Sequence, residues 1–444
     1  MATNLTRIGV KARREPGLVF TSLYHHIYDV DNLRACYDRL DARKATGVDG
    51  VTKAEYGRNL EENLRDLSAR LRRMGYRPGP KRRSYIPKPG TAKGRPLGIS
   101  NLEDKIVEAA TKRVLEPIYE AVFEDSSYGY RPGRTQHQCL DALGRTIQQE
   151  KVSYVVEADV KSFFDEVNHE WMVKFLRHRI GDERVIRLIT RMLKSGIMED
   201  GLTRATEKGT PQGSILSPLL SNIYLHYVLD LWFSRRIRRQ CRGEAYYFRF
   251  ADDFLACFQY KGDAEHFYHQ LRVRLEKFGL KLAEEKTRCI EFGRFARRDA
   301  QKRGGKPTDF TFLGFTHYCG KTREGYFKVK RRTSRKKLGQ SLRKFTEWAI
   351  KARHVLRKGE MIRQARARVA GHLNYYAITD NAARCSYYSY RARQILFKWL
   401  NRKSQRKSYT WEQLNQALTM LDWPAVKIRK DLNPCRRSGG TLNG

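Results

Sequence analysis

Three aspartates have the types and spacing for metal chemistry. Tyr154, Val155, Val156 and Ala158 make a strand-forming run that stops at Asp159, followed by Lys161, Ser162, Phe163, Phe164 and Asp165 and then a helix capped near Asn168. Further on, Tyr246, Phe248 and Phe250 alternate with Tyr247 and Arg249 up to Ala251-Asp252-Asp253, and Phe254, Leu255, Ala256 and Cys257 resume the pattern. This predicts a hairpin with two aspartates at its tip. Adjacent aspartates also suit a plain solvent-exposed turn. Such a turn, however, has no need of aromatic strands on both sides. A buried hairpin that presents Asp252 and Asp253 toward Asp159 would be strongly destabilised unless cations neutralised the three charges. Two Mg²⁺ ions about 4 Å apart, with Mn²⁺ as a substitute, would do so, and would activate a 3′-hydroxyl and stabilise leaving pyrophosphate in an in-line displacement. That reaction is nucleotide polymerisation.

Other segments supply what such a reaction needs. Lys208-Gly209-Thr210-Pro211-Gln212-Gly213-Ser214 is a turn-rich loop, followed by Ser217 as N-cap, Pro218 at N1 and a helix whose buried stripe is Leu220, Ile223, Tyr224, Tyr227, Val228 and Leu231. A loop feeding a core helix explains the stripe. The crowding of Gly209, Gln212 and Gly213 points to backbone approaching a ligand, the forming base pair. Upstream, Arg82 to Gly90 and Gly94 to Ile99 read as a hairpin with cations near its tip. There Lys88 and Arg95 could bind a triphosphate, the alternative being a solvated basic loop.

The whole chain must position these groups. Its 444 residues suggest roughly two to four compact units. Lys and Arg number 88 against 48 Asp and Glu, a formal charge of +40 that calls for a polyanion. Nucleic acid fits better than anionic lipid, because the basic residues are spread along the chain and not bunched beside an amphipathic anchor. The 24 Tyr, 20 Phe and 6 Trp are too many for a disordered basic tail. The eight cysteines lie far apart, with no zinc-clamping pair, and read as reduced thiols. No apolar run approaches a membrane span, and Met1 to Phe20 carries charges where a signal peptide needs an apolar stretch. A cytoplasmic or nucleoid location is expected, and Glu15 and Pro16 speak against an organellar transit peptide.

Residues 20–320 mix helical patterns with short runs of β-formers, as in an α+β domain. Beyond Tyr326 the chain is heavily basic and apolar residues recur at helical spacing: Leu338, Leu342, Phe345 and Ala349; Ile362, Ala365 and Val369; Tyr388, Ile395, Leu396 and Trp399. That predicts a separate three-helix unit. After Lys407, a short helix carrying Trp411, Leu414 and Leu418 precedes Pro434 to Gly444, which is expected to be disordered.

In order, IPKPGTAKGRPLGI, SYGYRPGR, EADVKSFFDEVNH, KGTPQGSILSPLLSNIYLH, FRFADDF, GLKLAEEKT and FLGF resemble the successive reverse-transcriptase motifs of group II intron proteins. The resemblance implies an α+β right-hand polymerase fold, fingers and palm with an antiparallel sheet, followed by an α-helical thumb called domain X. It implies an N-terminal extension and first block over 1–60, including Gly47-Val48-Asp49-Gly50; fingers and palm over 61–325; thumb over 326–406, including Gly371 to Tyr376; and a short basic C-terminal segment over 407–444. Carried over by position, Asp159, Asp252 and Asp253 are the catalytic metal ligands, assisted by the Val160 carbonyl. Lys88 and Arg95 hold the triphosphate. Phe164 bars a ribose 2′-hydroxyl, the alternative being a core aromatic beside Phe163. Gln212 lines the nucleotide pocket and Lys286 protonates pyrophosphate. Arg131, Arg134 and Gly213 touch nucleic acid. Phe250 departs from the commonest Tyr of the family, losing a hydroxyl and keeping the ring. No paired Cys and His motif follows Trp411, so an HNH-type endonuclease is not expected.

The implied function is synthesis of DNA from dNTPs on an RNA template with a DNA or RNA primer, together with binding of the parent group II intron RNA as a maturase, splicing it and inserting it at target DNA within a ribonucleoprotein. The rival readings are a non-catalytic RNA-binding splicing factor and a defence or diversity-generating reverse transcriptase. A homodimer stays open beside a monomer.

Overall fold

The computed structural model describes residues 3–86, 94–199, 201–205, 207–402 and 409–435. Among them the strands β1 (Lys81–Ile86), β2 (Arg95–Ile99), β3 (Tyr154–Ala158), β4 (Ile197–Glu199), β5 (Leu202–Arg204), β6 (Ala245–Phe250), β7 (Asp253–Phe258), β8 (Arg288–Glu291), β9 (Phe310–Phe312), β10 (Phe315–Lys321) and β11 (Phe327–Thr333) form three sheets. The orders are β2-β1-β4-β5, β6-β7-β3-β8 and β11-β10-β9. All pairings are antiparallel except β1 with β4. The mixed, largely antiparallel α+β reading therefore holds.

The central sheet is buried on both faces, which is why its strands read as nearly continuous apolar runs. Val156, Ala158, Phe254, Ala256 and Phe258 enter one core with the helices Leu102–Glu120, His169–Arg177, Ser217–Leu225 and Lys261–Lys277. Val155, Leu255, Cys257 and Ile290, on the opposite face, enter a second core with the helix Gln136–Gln149 and with Cys319 and Val329. That helix starts sharply because Thr135 and Gln138 cap each other reciprocally.

Three long helices, Arg335–Val355, Lys358–Tyr376 and Ala382–Asn401, form a third core from Leu338, Phe345, Ala349, Ile362, Val369, Tyr388 and Leu396, as their spacing foretold. The expected boundary after residue 325 falls inside a hairpin: Thr322 N–H donates to the Tyr326 carbonyl at 2.8 Å, and β10 pairs with β11 as far as Thr333. The sheet therefore runs to Thr333, and the helical unit starts at Arg335, capped by Ser334. A hairpin rich in basic residues has no apolar periodicity to separate it from the basic helices after it.

The C-terminal segment is also more ordered than composition suggests. The helix Trp411–Met420 buries Leu414 and Leu418 in the third core. The chain then returns to bridge Ile378 at Lys430 and to insert Leu432 into the second core. Arg331, 1% exposed, clamps this return by donating to the carbonyls of Leu432 at 2.9 Å and Leu140 at 2.7 Å. Burial lowers its guanidinium to about 10. Pro434 and Cys435 continue in a turn, and residues 436–444 lie outside the described residues. No described helix is long and apolar enough to cross a membrane.

Leu432→Ala, which empties a site in the second core, should lower the unfolding free energy by about 2–4 kcal/mol. Ile428→Ala, at an exposed neighbour, should change it by less than about 0.5 kcal/mol. Urea unfolding of the two variants checks this, and equal effects would mean that the returning segment does not pack.

Candidate active site

Phe250 pairs with Asp253, leaving Ala251-Asp252 as a two-residue turn. Ala251 takes φ +58, a left-handed conformation uncommon for a residue with a side chain. In the pairing of β3 with β7, Ala158 stands opposite Phe254, so the same register places Asp159 opposite Asp253. Strand alternation puts both carboxylates on the face of Val155 and Leu255, with Asp252 at the adjoining tip. The backbone of Asp159 is pinned from the other side, where its carbonyl accepts from Ala283 N–H at 2.9 Å and Lys161 N–H donates to the Lys281 carbonyl at 2.9 Å. These bonds flank the bridge between Val160 and Leu282. Val160's own carbonyl is thus turned away from that ladder.

Lys286, at the end of the turn Glu284–Lys286, donates from Nζ to Asp159 Oδ2 at 2.5 Å. That hydrogen bond holds its ammonium pKa above the ordinary range. Asp253 is pushed up to about 6, first by desolvation against the surrounding protein and then by the charges of Asp252 and Asp159. Solvent nevertheless reaches Asp253, so the two neighbouring charges are the stronger argument for a cation. The donors are hard carboxylate oxygens, which suit Mg²⁺ or Mn²⁺ better than zinc. The aspartates are not closed into a ring of ligands: among the described residues no three acidic, histidine or cysteine side chains are near enough to enclose a metal.

Beside the aspartates a cavity of about 1010 Å³ opens between β1, β2, the β4–β5 hairpin and the loop 207–212, lined among others by Arg83, Phe164, Arg204, Lys208, Gly209 and Gln212. Phe163, 2% exposed, belongs to the core, whereas Phe164 is half-buried and faces the cavity. The two rings meet edge to face at 5.3 Å. The aspartates do not line the cavity, and the turn carrying Phe164 and Asp165 connects them to it.

The reverse transcriptase (RNA-dependent DNA polymerase) family matches residues 86–317, more than half of the chain. The chain belongs to this family. This reverse transcriptase is an RNA-directed DNA polymerase, and its likeness to group II intron proteins extends well beyond the matched segment. It is 28% identical over 455 residues to the group II intron-encoded protein LtrA of Lactococcus lactis, covering 87% of this chain and 75% of that one. It is 38% identical over 204 residues to protein YkfC of Escherichia coli K12, 45% of this chain and 53% of the other. Nuclear intron maturase 2, mitochondrial, of Arabidopsis thaliana is 32% identical over 112 residues, covering 24% and 15%.

Several sequence-derived roles change in this reverse transcriptase. Gly209, at φ +90, lines the cavity and also packs on the protein's own backbone: a Cβ there would lie 2.9 Å from the Asp165 carbonyl oxygen. A Cβ on Gly213, at φ +110, would likewise lie 3.0 Å from the Gly98 carbonyl oxygen, and Gly98 N–H donates to the Gln212 carbonyl at 2.7 Å. Both glycines weld the loop to its neighbours. Arg131, expected at nucleic acid, is 7% exposed and donates to both Glu120 oxygens and to the carbonyls of Glu124 and Ser127. Its role is internal. Arg134 pairs with Asp125 at 2.5 Å and lies over the Tyr128 ring. Lys88 lies outside the described residues, and Arg95 is placed in β2 opposite Ile86.

Sequence reasoning missed three features. The β4–β5 hairpin, with strands of three residues, is too short for alternation to register, yet it brings Arg204 to the cavity. Glu108, buried, accepts from Lys81 at 2.7 Å, Ser100 at 2.9 Å and Ile215 N–H at 2.9 Å, joining β1 to the loop. Arg249 of β6, to which the sequence pattern gave no role, is fully buried. A charged residue inside an aromatic strand was the available signal for it.

Gly209→Ala would strain a positive-φ position by about 1–3 kcal/mol and press on the backbone beneath Phe164. We expect the KM for dNTP to rise about tenfold, since small misplacements are amplified at a reacting centre. Steady-state single-nucleotide addition measures this, and an unchanged KM would detach the loop from nucleotide binding.

Proposed function

We propose that this reverse transcriptase copies RNA into DNA at Asp159, Asp252 and Asp253, which would hold two Mg²⁺ ions, and that it also binds a group II intron RNA to assist splicing and mobility. The observation that carries the catalytic part is the shared register of Asp159 and Asp253, with Asp252 on the adjoining turn. Bound there, the metal pair would supply activation of the primer 3′-hydroxyl and neutralisation of the departing pyrophosphate. The chain's own residues orient the substrates. The cavity beside Phe164 and Gln212 receives the incoming dNTP, with Lys88 and Arg95 at its triphosphate. Phe164 fills the space a 2′-hydroxyl needs. Lys286, already a donor to Asp159, stands where it could deliver a proton to pyrophosphate, and Arg134 meets the template strand.

In this reading the sheet β2-β1-β4-β5 belongs to the fingers, the central sheet to the palm, and the helices Arg335–Asn401 to the thumb or domain X. Support for the intron RNA comes from the likeness to LtrA over 87% of the chain and from the formal charge of +40. The helical unit adds cations over indole rings, Arg353 over Trp399 at 4.7 Å and Arg368 over Trp348 at 4.6 Å, and exposed Tyr387 and Tyr390. Phosphate contacts and shape hold the helical parts of a structured RNA, and exposed aromatic rings suit its unpaired bases. The RNA template, its DNA or RNA primer and target DNA would share the same ribonucleoprotein, in cytoplasm or nucleoid.

Primer extension on an RNA template with dNTPs and Mg²⁺, at fixed salt, tests the catalytic part. Wild type should make DNA and lose the activity on chelation. Asp252→Ala should bind RNA equally well and extend roughly a thousandfold more slowly, about 4 kcal/mol of barrier. An active Asp252→Ala would sink the metal role. Phe164→Ala should incorporate ribonucleotides about 10–100 times more readily, and unchanged sugar selectivity would return that ring to the core.

A further inference from the structure

Behind the aspartate turn lies a buried charged cluster, apart from the cavity lined by Phe164 and Gln212. Arg249 and Asp230 each have side chains 0% exposed. Arg249 Nε donates to Asp230 Oδ1 at 2.7 Å and Nη2 to Asp230 Oδ2 at 2.6 Å, a bidentate pair. Its remaining nitrogen, Nη1, donates to Asn222 Oδ1 at 2.9 Å and to the carbonyl oxygen of Ala251 at 2.9 Å. The last contact reaches the residue whose left-handed φ turns the chain into Asp252.

Four further features converge there. Asp230 ends a stretch, His226–Asp230, where the long helix after the loop widens into π-type turns, a distortion that re-aims a side chain. Asn222, on the same helix, donates to the Gly129 carbonyl at 2.7 Å. Gly129 lies so close that a Cβ there would collide with the Ala251 nitrogen. The backbone of Arg249 is held as well: its N–H donates to the Ser126 carbonyl at 2.9 Å, and its carbonyl accepts from Tyr128 N–H at 2.8 Å. The turn is thus gripped from the helix through the guanidinium and from the segment Ser126–Gly129 through backbone.

We propose that Arg249, oriented by Asp230 and Asn222, is a positioning residue for polymerisation: by holding the Ala251 carbonyl it sets where Asp252 and Asp253 present their oxygens. It contacts no reacting atom. A buried ion pair by itself adds little stability over well-packed apolar residues of similar size, so stability alone does not account for a cluster that spends a donor on the turn. The inference rests on the reading that Asp252 and Asp253 hold the metals.

The test uses the full chain and titrates Mg²⁺ in primer extension, with thermal melting and RNA binding measured alongside. Arg249→Met combined with Asp230→Leu removes the charges together. We expect that variant to melt and bind RNA like wild type, while kcat falls about a hundredfold and the Mg²⁺ concentration for half-maximal rate rises several-fold. Arg249→Lys keeps a cation against Asp230 and loses the planar set of donors reaching Asn222 and Ala251. It should show the same two changes more mildly, and it decides the matter if the double variant does not fold. Wild-type kcat and Mg²⁺ midpoint in a folded double variant, or in Arg249→Lys where the double variant fails, overturn the proposal. Asp252→Ala runs in parallel: inactive there and unchanged in the arginine variants rejects the positioning role alone, whereas activity in Asp252→Ala removes the metal reading beneath it.

Discussion

The pairing of β3 with β7 is the interaction on which the rest depends. It sets two carboxylates from distant parts of the chain opposite one another, Asp159 after the end of one strand and Asp253 at the start of the other. Because side chains alternate, a slip of one residue would turn one aspartate to the opposite face of the sheet. The slip is prevented on both faces, since Val156 and Phe254 are committed to one core and Val155 and Leu255 to another. Apolar packing thus specifies the separation of charges that packing itself would never favour.

Bringing like charges together stores repulsion, visible in Asp253, whose carboxyl is raised by its surroundings and by Asp252 and Asp159. The surrounding structure resists by rigidity. Ala251 keeps an unfavourable φ beneath a buried guanidinium, and Gly129 fills the space behind it. Around the cavity the same principle recurs, with Gly209 and Gly213 packed against backbone and Glu108 joining three segments through buried hydrogen bonds. Local rules are broken where neighbouring elements overdetermine the geometry, the pattern expected of a functional site.

The aspartates sit where the central sheet meets the helical unit, beside the sheet β2-β1-β4-β5. Lys337 from the first long helix and Tyr375 from the second add their electrostatic influence on or from Asp253. The returning C-terminal segment, fixed by Arg331 and Leu432, ties that helical unit to the helix Gln136–Gln149 and hence to the central sheet.

Local pattern alone was enough for the strand ending at Asp159, the hairpin bearing Asp252 and Asp253, the helix that starts at Ser217, though its N-cap is Leu216 and not Ser217, and the stripes of the three long helices, because each signal lies within a few residues along the chain. Identity of the chemistry came from the same residues. Pairing partners were another matter. That Arg131 turns inward to Glu120, that Gly213 faces Gly98, that β4 joins β1 in parallel and that Leu432 returns to the second core all depend on contacts between residues far apart in sequence. Arg249 shows the reason most clearly: a guanidinium is equally at home in water or against a buried carboxylate, and only the fold brings Asp230 to it.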